Sequence, residues 1–314
     1  KMIQIGAEAI WRAADRKGFW TCLADRMVVA LREQAAAQAA SSPRQIIRTN
    51  TGNGLGLMAA VAEKPGKLIM GVKIVSLTKR VSQGSPSHPG VVVLIDPVSG
   101  DPKVSLDADS VTAIRTAATT CAVTRHVRPE AVYFTIIGTG IEARSHLLAL
   151  SSVYPKARFT IWGRRFKLAS NLASRYACQH ISVSAEPDLM KAIKGAHVIT
   201  SVTAARSPFL DINHVDDAAH VNAIGASIPG LSEWIPESFR NVDVIICDTV
   251  EECRRQSIEI PDDLLDAAHN VSAVLDEPCW KIANLNGRRS VYKSVGSAVL
   301  DVAAGAFLVD YLQS

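Results

Sequence analysis

The sequence predicts an α/β fold, a doubly wound parallel sheet of the Rossmann type, accompanied by an α+β domain built from the two ends of the chain. Three observations predict it. Residues 131–143 (AVYFTIIGTGIEA) pass from a short β-rich apolar run through Gly138-Thr139-Gly140 into apolar residues at helical spacing, Ala143, Leu147, Leu148 and Leu150, which reads as strand, tight turn and helix. From there to residue 248, short apolar strands alternate with helical stretches, the signature of right-handed βαβ units. Before residue 129 the pattern differs, with helical segments first and then a run of short strands divided by turns. The predicted division is therefore 129–296 for the doubly wound domain and 1–128 with 297–314 for the second domain.

Taken in order, residues 27–40 (MVVALREQAAAQAA) are strong helix formers stopped by Ser41-Ser42-Pro43. Strands follow at 45–49, 57–62 and 68–77, with a glycine-rich hairpin candidate at 51–56, and 91–96 pairs with 102–106 across the PVSGD turn. A long helix runs from Asp109 or Ser110, either of which suits an N-cap, to Arg128-Pro129. Strands at 132–137, 158–162, 181–183, 197–203, 220–224 and 242–248 alternate with helices at 142–153, 166–178 and 188–193. Helices at 251–256 and 262–268, the YKSVG segment at 292–296 and a final amphipathic run at 298–312 complete the chain. The apolar faces of the N-terminal segment and of this last run lie outside the parallel sheet, which predicts surface that needs a partner and hence a homodimer.

Composition excludes several classes. The 314 residues are 48% apolar and 20% charged, enough for two buried cores. The net charge of +4 is scattered, without a run of five basic residues or interleaved aromatics, so no nucleic-acid partner is predicted while anionic small molecules stay in play. Cys22, Cys121, Cys178, Cys247, Cys253 and Cys279 form no CxxC and mostly sit in apolar surroundings, which fits a reducing cytoplasm. The N-terminus shows no apolar signal core, and no apolar stretch approaches the roughly 18 residues that span a bilayer, so no membrane association is expected. No His/Cys/Asp spacing makes a metal site and no GxSxG or cysteine–histidine signature makes a nucleophile.

The chemistry-bearing residues are few. Gly138 permits a sharp turn, Gly140 lets backbone approach a pyrophosphate, and Ala143 lets helix and strand pack closely while the helix N-terminus faces the anion; a tight αβ connection without a ligand is the alternative. About twenty residues further on, Arg164-Arg165 stand where an NAD-selective site keeps a carboxylate. Two guanidinium groups there favour the 2′-phosphate of NADP(H) and leave NAD(H) open, against the plainer reading of a solvated pair opening the next helix. Lys73, Arg115 and Arg48 are cations embedded in apolar or helical patterns where an unpaired charge is costly. Converging, they would hold an α-carboxylate, with the lysine moving a proton; the alternatives are a snorkelling strand lysine and a structural ion pair. His88, in SPSHPG, is a loop histidine that could serve as a ligand or an acid, against the plainer reading of a hydrogen-bonding surface residue.

The segments RTAAT (115–119), IIGTGIEA (136–143), TSVTA (200–204), VNAIGASIPG (221–230) and YKSVGSAVLD (292–301), in that order and spacing, resemble the ornithine cyclodeaminase/mu-crystallin family over nearly the whole chain. The resemblance implies a Rossmann domain that binds NAD(P)(H), and terminal segments that form the substrate-binding and dimerisation domain. It implies that Arg48 and Arg115 hold the substrate carboxylate and that Lys73 assists proton transfer. Gly138, Thr139, Gly140, Ile141 and Ala143 match the pyrophosphate turn, Thr203 and Gly225-Ala226 match segments near the nicotinamide, and Ser294-Val295-Gly296 match the stretch beneath it. Glu142 departs from the usual glutamine, Pro89 stands where cyclodeaminases often have threonine, and Ser227 occupies the place of their aspartate. Losing that carboxylate removes a general base for cyclisation, so the expected activity is reduction of a small imino acid or oxidation of an amino acid. An ornithine- or lysine-type cyclodeaminase and a non-catalytic NAD(P)H- and ligand-binding protein are the other two readings.

Overall fold

The computed structural model describes residues 2–50, 53–64, 67–77, 89–177, 181–276, 285 and 287–313. His88, Cys178, Cys279 and the tip of the 51–56 hairpin lie outside the described residues. Packing divides the chain into two units, residues 1–119 with 297–314 and residues 120–296.

The first unit opens with β1 (Ile3–Ile5), α1 (Ala7–Ala14) and α2 (Phe19–Ala35). The second helix begins and ends earlier than its alanine-rich stretch predicts, since Phe19, Trp20, Leu23 and Met27 are buried along it and packing outweighs propensity. At Ala37, φ is 55°, and the chain turns directly into β2 (Ala39–Ser41). Strands β3 (Gln45–Arg48), β4 (Gly54–Lys64), β5 (Lys67–Leu77), β6 (Gly90–Ile95) and β7 (Pro102–Asp107) complete a sheet of order β1-β7-β6-β5-β4-β2, with β3 also paired to β4. All its pairings are antiparallel except that of β1 with β7.

Alternation along β4 and β5 turns Met58, Ala60, Ile69, Gly71, Lys73 and Val75 to the buried face. The C-terminal helix (Ala298–Gln313) packs on β4, β5, β6 and α2. The amphipathic run predicted there is instead a core helix, buried without interruption from Ala298 to Ala306, as expected of a helix that is apolar nearly all round. Gly71 lets it approach: a Cβ at that position would lie 2.7 Å from the Val93 carbonyl oxygen and 3.0 Å from Val302 Cγ2.

Helix α3 (Ala108–Val127) is capped by Asp107, whose carboxylate accepts from the Ser110 N–H at 2.8 Å, rather than by Asp109 or Ser110. It is threonine-rich yet buried, because Thr112, Thr116 and Thr119 give their hydroxyls to the carbonyls of Ala108, Thr112 and Arg115. The division between units falls inside α3 rather than after Arg128. Its last turns belong with the second unit, where Asn222 donates to Thr124 Oγ1 at 3.0 Å.

The second unit contains β8 (Tyr133–Ile137), α4 (Ile141–Val153), β9 (Arg158–Trp162), α5 (Phe166–Ala177), β10 (Val183–Ala185), α6 (Leu189–Ile193), β11 (Val198–Ser201) and β12 (His220–Ala223). After these come β13 (Val244–Cys247), α7 (Val250–Gln256), α8 (Asp262–Leu265), β14 (His269–Asn270), α9 (Val271–Asp276) and β15 (Ser290–Lys293). Its sheet is parallel throughout, in the order β10-β9-β8-β11-β12-β15-β13-β14. The strand order therefore reverses between β8 and β11, and ligands of doubly wound sheets bind outside the carboxyl ends at such a reversal. Among the described residues, no helix is long and apolar enough to cross a membrane, and no group of three His, Cys, Asp or Glu side chains is placed to hold a metal ion.

Candidate active site

Within the first unit, β5 aims Lys73 inward, where the residue is only 3% exposed. Its Nζ lies 2.6 Å from Asp301 Oδ2 and donates to Thr112 Oγ1 at 3.5 Å, while Arg115 Nε donates to Asp301 Oδ1 at 2.8 Å. The snorkelling alternative for Lys73 is thereby removed, and Arg115 is seen to form a buried ion pair. Asp301 precedes Val302, the residue that Gly71 admits, so the small residue two positions before Lys73 brings the carboxylate over the lysine.

Burial lowers Lys73 to a pKa of about 8, with Asp301 opposing the shift and Arg115 and Arg44 adding to it. Burial alone would raise Asp301, but the two cations hold it below the ordinary carboxylate range. The groups acting on Lys73 are thus two further cations and one carboxylate, an arrangement with positive charge left to attract an anion. The third cation is Arg44, which is half-buried, and not Arg48, which sits on the fully exposed β3. Register agrees: Gln45, next to Arg44, stands opposite Leu57, which adjoins the Met58 that faces Lys73, whereas Arg48 stands opposite Gly54, four residues along β4 from Met58.

Within the second unit, the Gly138 N–H donates to the Trp162 carbonyl at 2.9 Å, tying the glycine turn to the end of β9. Gly138 has φ 139° and a Cβ there would meet the Val202 carbonyl oxygen at 2.9 Å, so only glycine fits without a shift. A Cβ on Gly140, by contrast, would meet nothing within 4 Å, and no described side chain caps α4. Open ground at an uncapped helix N-terminus suits a pyrophosphate. Thr139 and Ile141 flank Gly140, and Ala143 is fully buried against the sheet. The carboxylate of Glu142 lies 3.7 Å from His146 Nδ1 on the same helix. Arg164 and Arg165 are exposed immediately after Gly163, where a Cβ would come within 2.5 Å of Thr139 Cγ2; the arginine loop thus abuts the glycine turn.

The other predicted segments also end strands of this sheet. Thr203 follows β11, and Gly225, Ala226 and the half-buried Ser227 follow β12. Ser294-Val295-Gly296 follow β15 and are held by Asp248, which accepts from Ser294 Oγ at 2.9 Å and from the N–H groups of Val295 and Gly296 at 2.8 and 2.6 Å.

Residues 14–314 match the profile of the ornithine cyclodeaminase/mu-crystallin family. The chain belongs to that family. The ketimine reductase mu-crystallin of Macropus fuliginosus is 28% identical to it over 260 residues, 82% of this chain and 80% of that protein. A delta(1)-pyrroline-2-carboxylate reductase of Bacillus cereus is 26% identical over 272 residues, 83% of this chain and 82% of that one. The delta(1)-pyrroline-2-carboxylate reductase of Thermococcus litoralis, solved with NADH and L-proline, has the same fold, with a TM-score of 0.85 at 21% identity over 99% of this chain and 97% of that one.

For this member of the family, sequence reasoning missed Asp301, Arg44, Asp248 and a buried set, Glu233, Glu259 and Lys293. Asp301 carried the same signal as Lys73, a charge inside an apolar run (AVLDVAAG). The rest lie in irregular segments or at strand ends, where periodicity says nothing about burial.

Replacing Asp301 with alanine should cost about 3–5 kcal/mol at neutral pH, because it strands two buried cations. Asp301's own contribution is present above the ordinary carboxylate pKa of 3.8 and is lost as pH falls through its lower folded value. Urea unfolding of both proteins should therefore show a gap at pH 7 that closes in acid, and a gap below 1 kcal/mol at pH 7 contradicts the pairing.

Proposed function

We propose that this protein is an NAD(P)H-dependent oxidoreductase that reduces the C=N bond of a small α-imino acid, or oxidises the corresponding amino acid. The observation that carries the reading is the buried lysine with its lowered pKa, set beside one carboxylate and two further cations on the inner face of the first unit's sheet. The names of the curated relatives, ketimine reductase and pyrroline-2-carboxylate reductase, agree with it.

Each residue then has a task. Arg115, oriented through its Nε by Asp301, and Arg44 attract the substrate carboxylate. Lys73 holds, as its ammonium, the proton required by the imine nitrogen, and Asp301 keeps that ammonium in place. In the second unit the Gly138 turn and the α4 N-terminus take the pyrophosphate, and Arg164-Arg165 take a 2′-phosphate. A reduced nicotinamide nucleotide held there would supply the hydride that imine reduction requires. Ser227 cannot act as a carboxylate base toward a side-chain amine, which disfavours cyclodeamination.

A homodimer accompanies this reading, through the first unit as the sequence suggested, but on its sheet rather than on its terminal helical segments. The face of the first sheet opposite Lys73 is apolar: Ile47, Leu55 and Val61 are exposed, and Val72, Ile74 and Val93 are half-buried beside them. Strands apolar on both faces need two covers, and the C-terminal helix is only one.

Steady-state kinetics with a cyclic ketimine and NADPH test the reading. Lys73→Ala should lower kcat by about 10²–10⁴-fold, while Arg115→Ala mainly raises KM. In the wild type, rates should decline as pH rises through about 8, since the ammonium is the donor and is lost there. Near-normal kcat in Lys73→Ala, or ammonia release without NADPH consumption, overturns it. Alanine at both Arg164 and Arg165 should weaken NADPH far more than NADH, by roughly 1.5–3 kcal/mol for each charge-assisted bond; equal losses contradict the 2′-phosphate assignment. Light scattering should find a dimer at micromolar concentration, and a monomer removes the proposed sheet interface.

A further inference from the structure

Behind the loops that follow β11 and β12 lies a carboxylate that the mechanism above does not use. Glu233 is fully buried. Its Oε1 accepts from the Thr203 N–H at 2.6 Å, and its Oε2 from Ser201 Oγ at 2.8 Å and the Gly225 N–H at 3.0 Å. One side chain thus ties together the carboxyl ends of two neighbouring strands. The fit is close: a Cβ on Gly225 would lie 2.6 Å from Glu233 Oε1 and 2.2 Å from the Thr203 carbonyl oxygen.

The carboxylate is itself held from behind. Its backbone N–H and that of Trp234 donate to Glu259 Oε1 at 2.5 and 2.9 Å. Glu259 Oε2 takes Lys293 Nζ at 2.5 Å, and the same Nζ donates to the Ala226 carbonyl at 2.7 Å. Lys293 ends β15, so three adjacent strand ends are locked through two carboxylates and one lysine, all buried.

Position gives this lock a purpose. The strand order reverses beside β8, and Arg164-Arg165 mark the β9 side as that of the adenosine ribose. The other half of a dinucleotide then extends over the ends of β11 and β12, the two that Glu233 joins. We infer that Glu233 is a positioning residue for the nicotinamide half of the nucleotide site, its ionised carboxylate holding the 202–206 and 225–230 loops in their binding geometry. The inference rests on the nucleotide reading proposed above.

Only an acceptor serves here, since all three partners of the carboxylate donate to it. Burial and the neighbouring Glu259 raise Glu233 to a pKa of about 7, opposed by the bonds from Thr203 and by Lys293. Protonation sets a new donor against existing donors, so the loops loosen as pH falls below that value.

The test is NADH binding, followed by nucleotide fluorescence between pH 6 and 8.5, with thermal unfolding recorded alongside; NADH has no 2′-phosphate whose titration would intrude. The wild-type Kd should weaken about tenfold from pH 8 to pH 6, as the ionised fraction falls. Glu233→Gln should bind about tenfold more weakly at pH 8 and show no pH dependence, with Glu233→Asp restoring part of that dependence. Should Glu233→Gln fail to fold, Ser201→Ala gives a second reading: losing one donor to the carboxylate should move the midpoint of the NADH titration upward. A folded Glu233→Gln with wild-type affinity and pH profile, a wild-type Kd flat across this range, or an unmoved midpoint in Ser201→Ala overturns the inference alone. A wild-type protein that binds neither NADH nor NADPH overturns the nucleotide reading and this inference with it.

Discussion

The first unit turns on a carboxylate that the chain delivers last. Asp301 lies near the C-terminus, yet its partners are Lys73 on β5 and Arg115 on α3. Neither cation is tolerable in that core without it. The sheet, the buried threonine-rich helix and the C-terminal helix consequently form one electrostatic unit, completed only after the whole second unit has been threaded between residues 119 and 297. Gly71 makes the arrangement steric as well as electrostatic, since the helix carrying Asp301 reaches β5 only where a side chain is missing.

In the proposed function the two units would bind their anions differently. In the second, backbone does the work: an uncapped helix start and a glycine turn present N–H groups and the end of a helix dipole. Such a site is only as good as the placement of its loops, and these loops are fixed from beneath by carboxylates, Asp248 under residues 294–296 and Glu233 under Thr203 and Gly225. In the first unit, side-chain cations would provide the attraction, and a carboxylate again sets their geometry. Buried acids in both units therefore hold other groups in place.

Much of this was legible in the sequence. The glycine turn, the alternation behind it and the embedded charges at Lys73 and Arg115 are local signals, and the structure places them where those signals point. Arg44 and Arg48 could not be told apart, because the choice depends on which residues of β4 face β3 and β5. The C-terminal helix looked amphipathic because Asp301 and Asp310 break its apolar run, yet one of these acids serves an internal ion pair. Glu233 and Glu259 gave no signal at all. They sit in segments without a period, and what buries them is the meeting of three strand ends from distant parts of the chain.

Lys73 and Glu233 are displaced toward neutrality from opposite sides, the lysine down to about 8 and the glutamate up to about 7, and in both cases burial is the leading cause. In the mechanism proposed above each works in its charged form, the ammonium as proton donor and the carboxylate as acceptor for two backbone N–H groups. Below about 7 the loops lose their brace; above about 8 the donor loses its proton. Under that proposal activity falls off on both sides of neutrality, so a bell-shaped dependence is expected from two groups that never touch the same atom. An unburied lysine or glutamate would widen the interval between the two values, but a solvated lysine would be a weaker acid at neutral pH and a solvated glutamate a looser brace. The same burial that moves each group toward neutrality makes it fit for its proposed task.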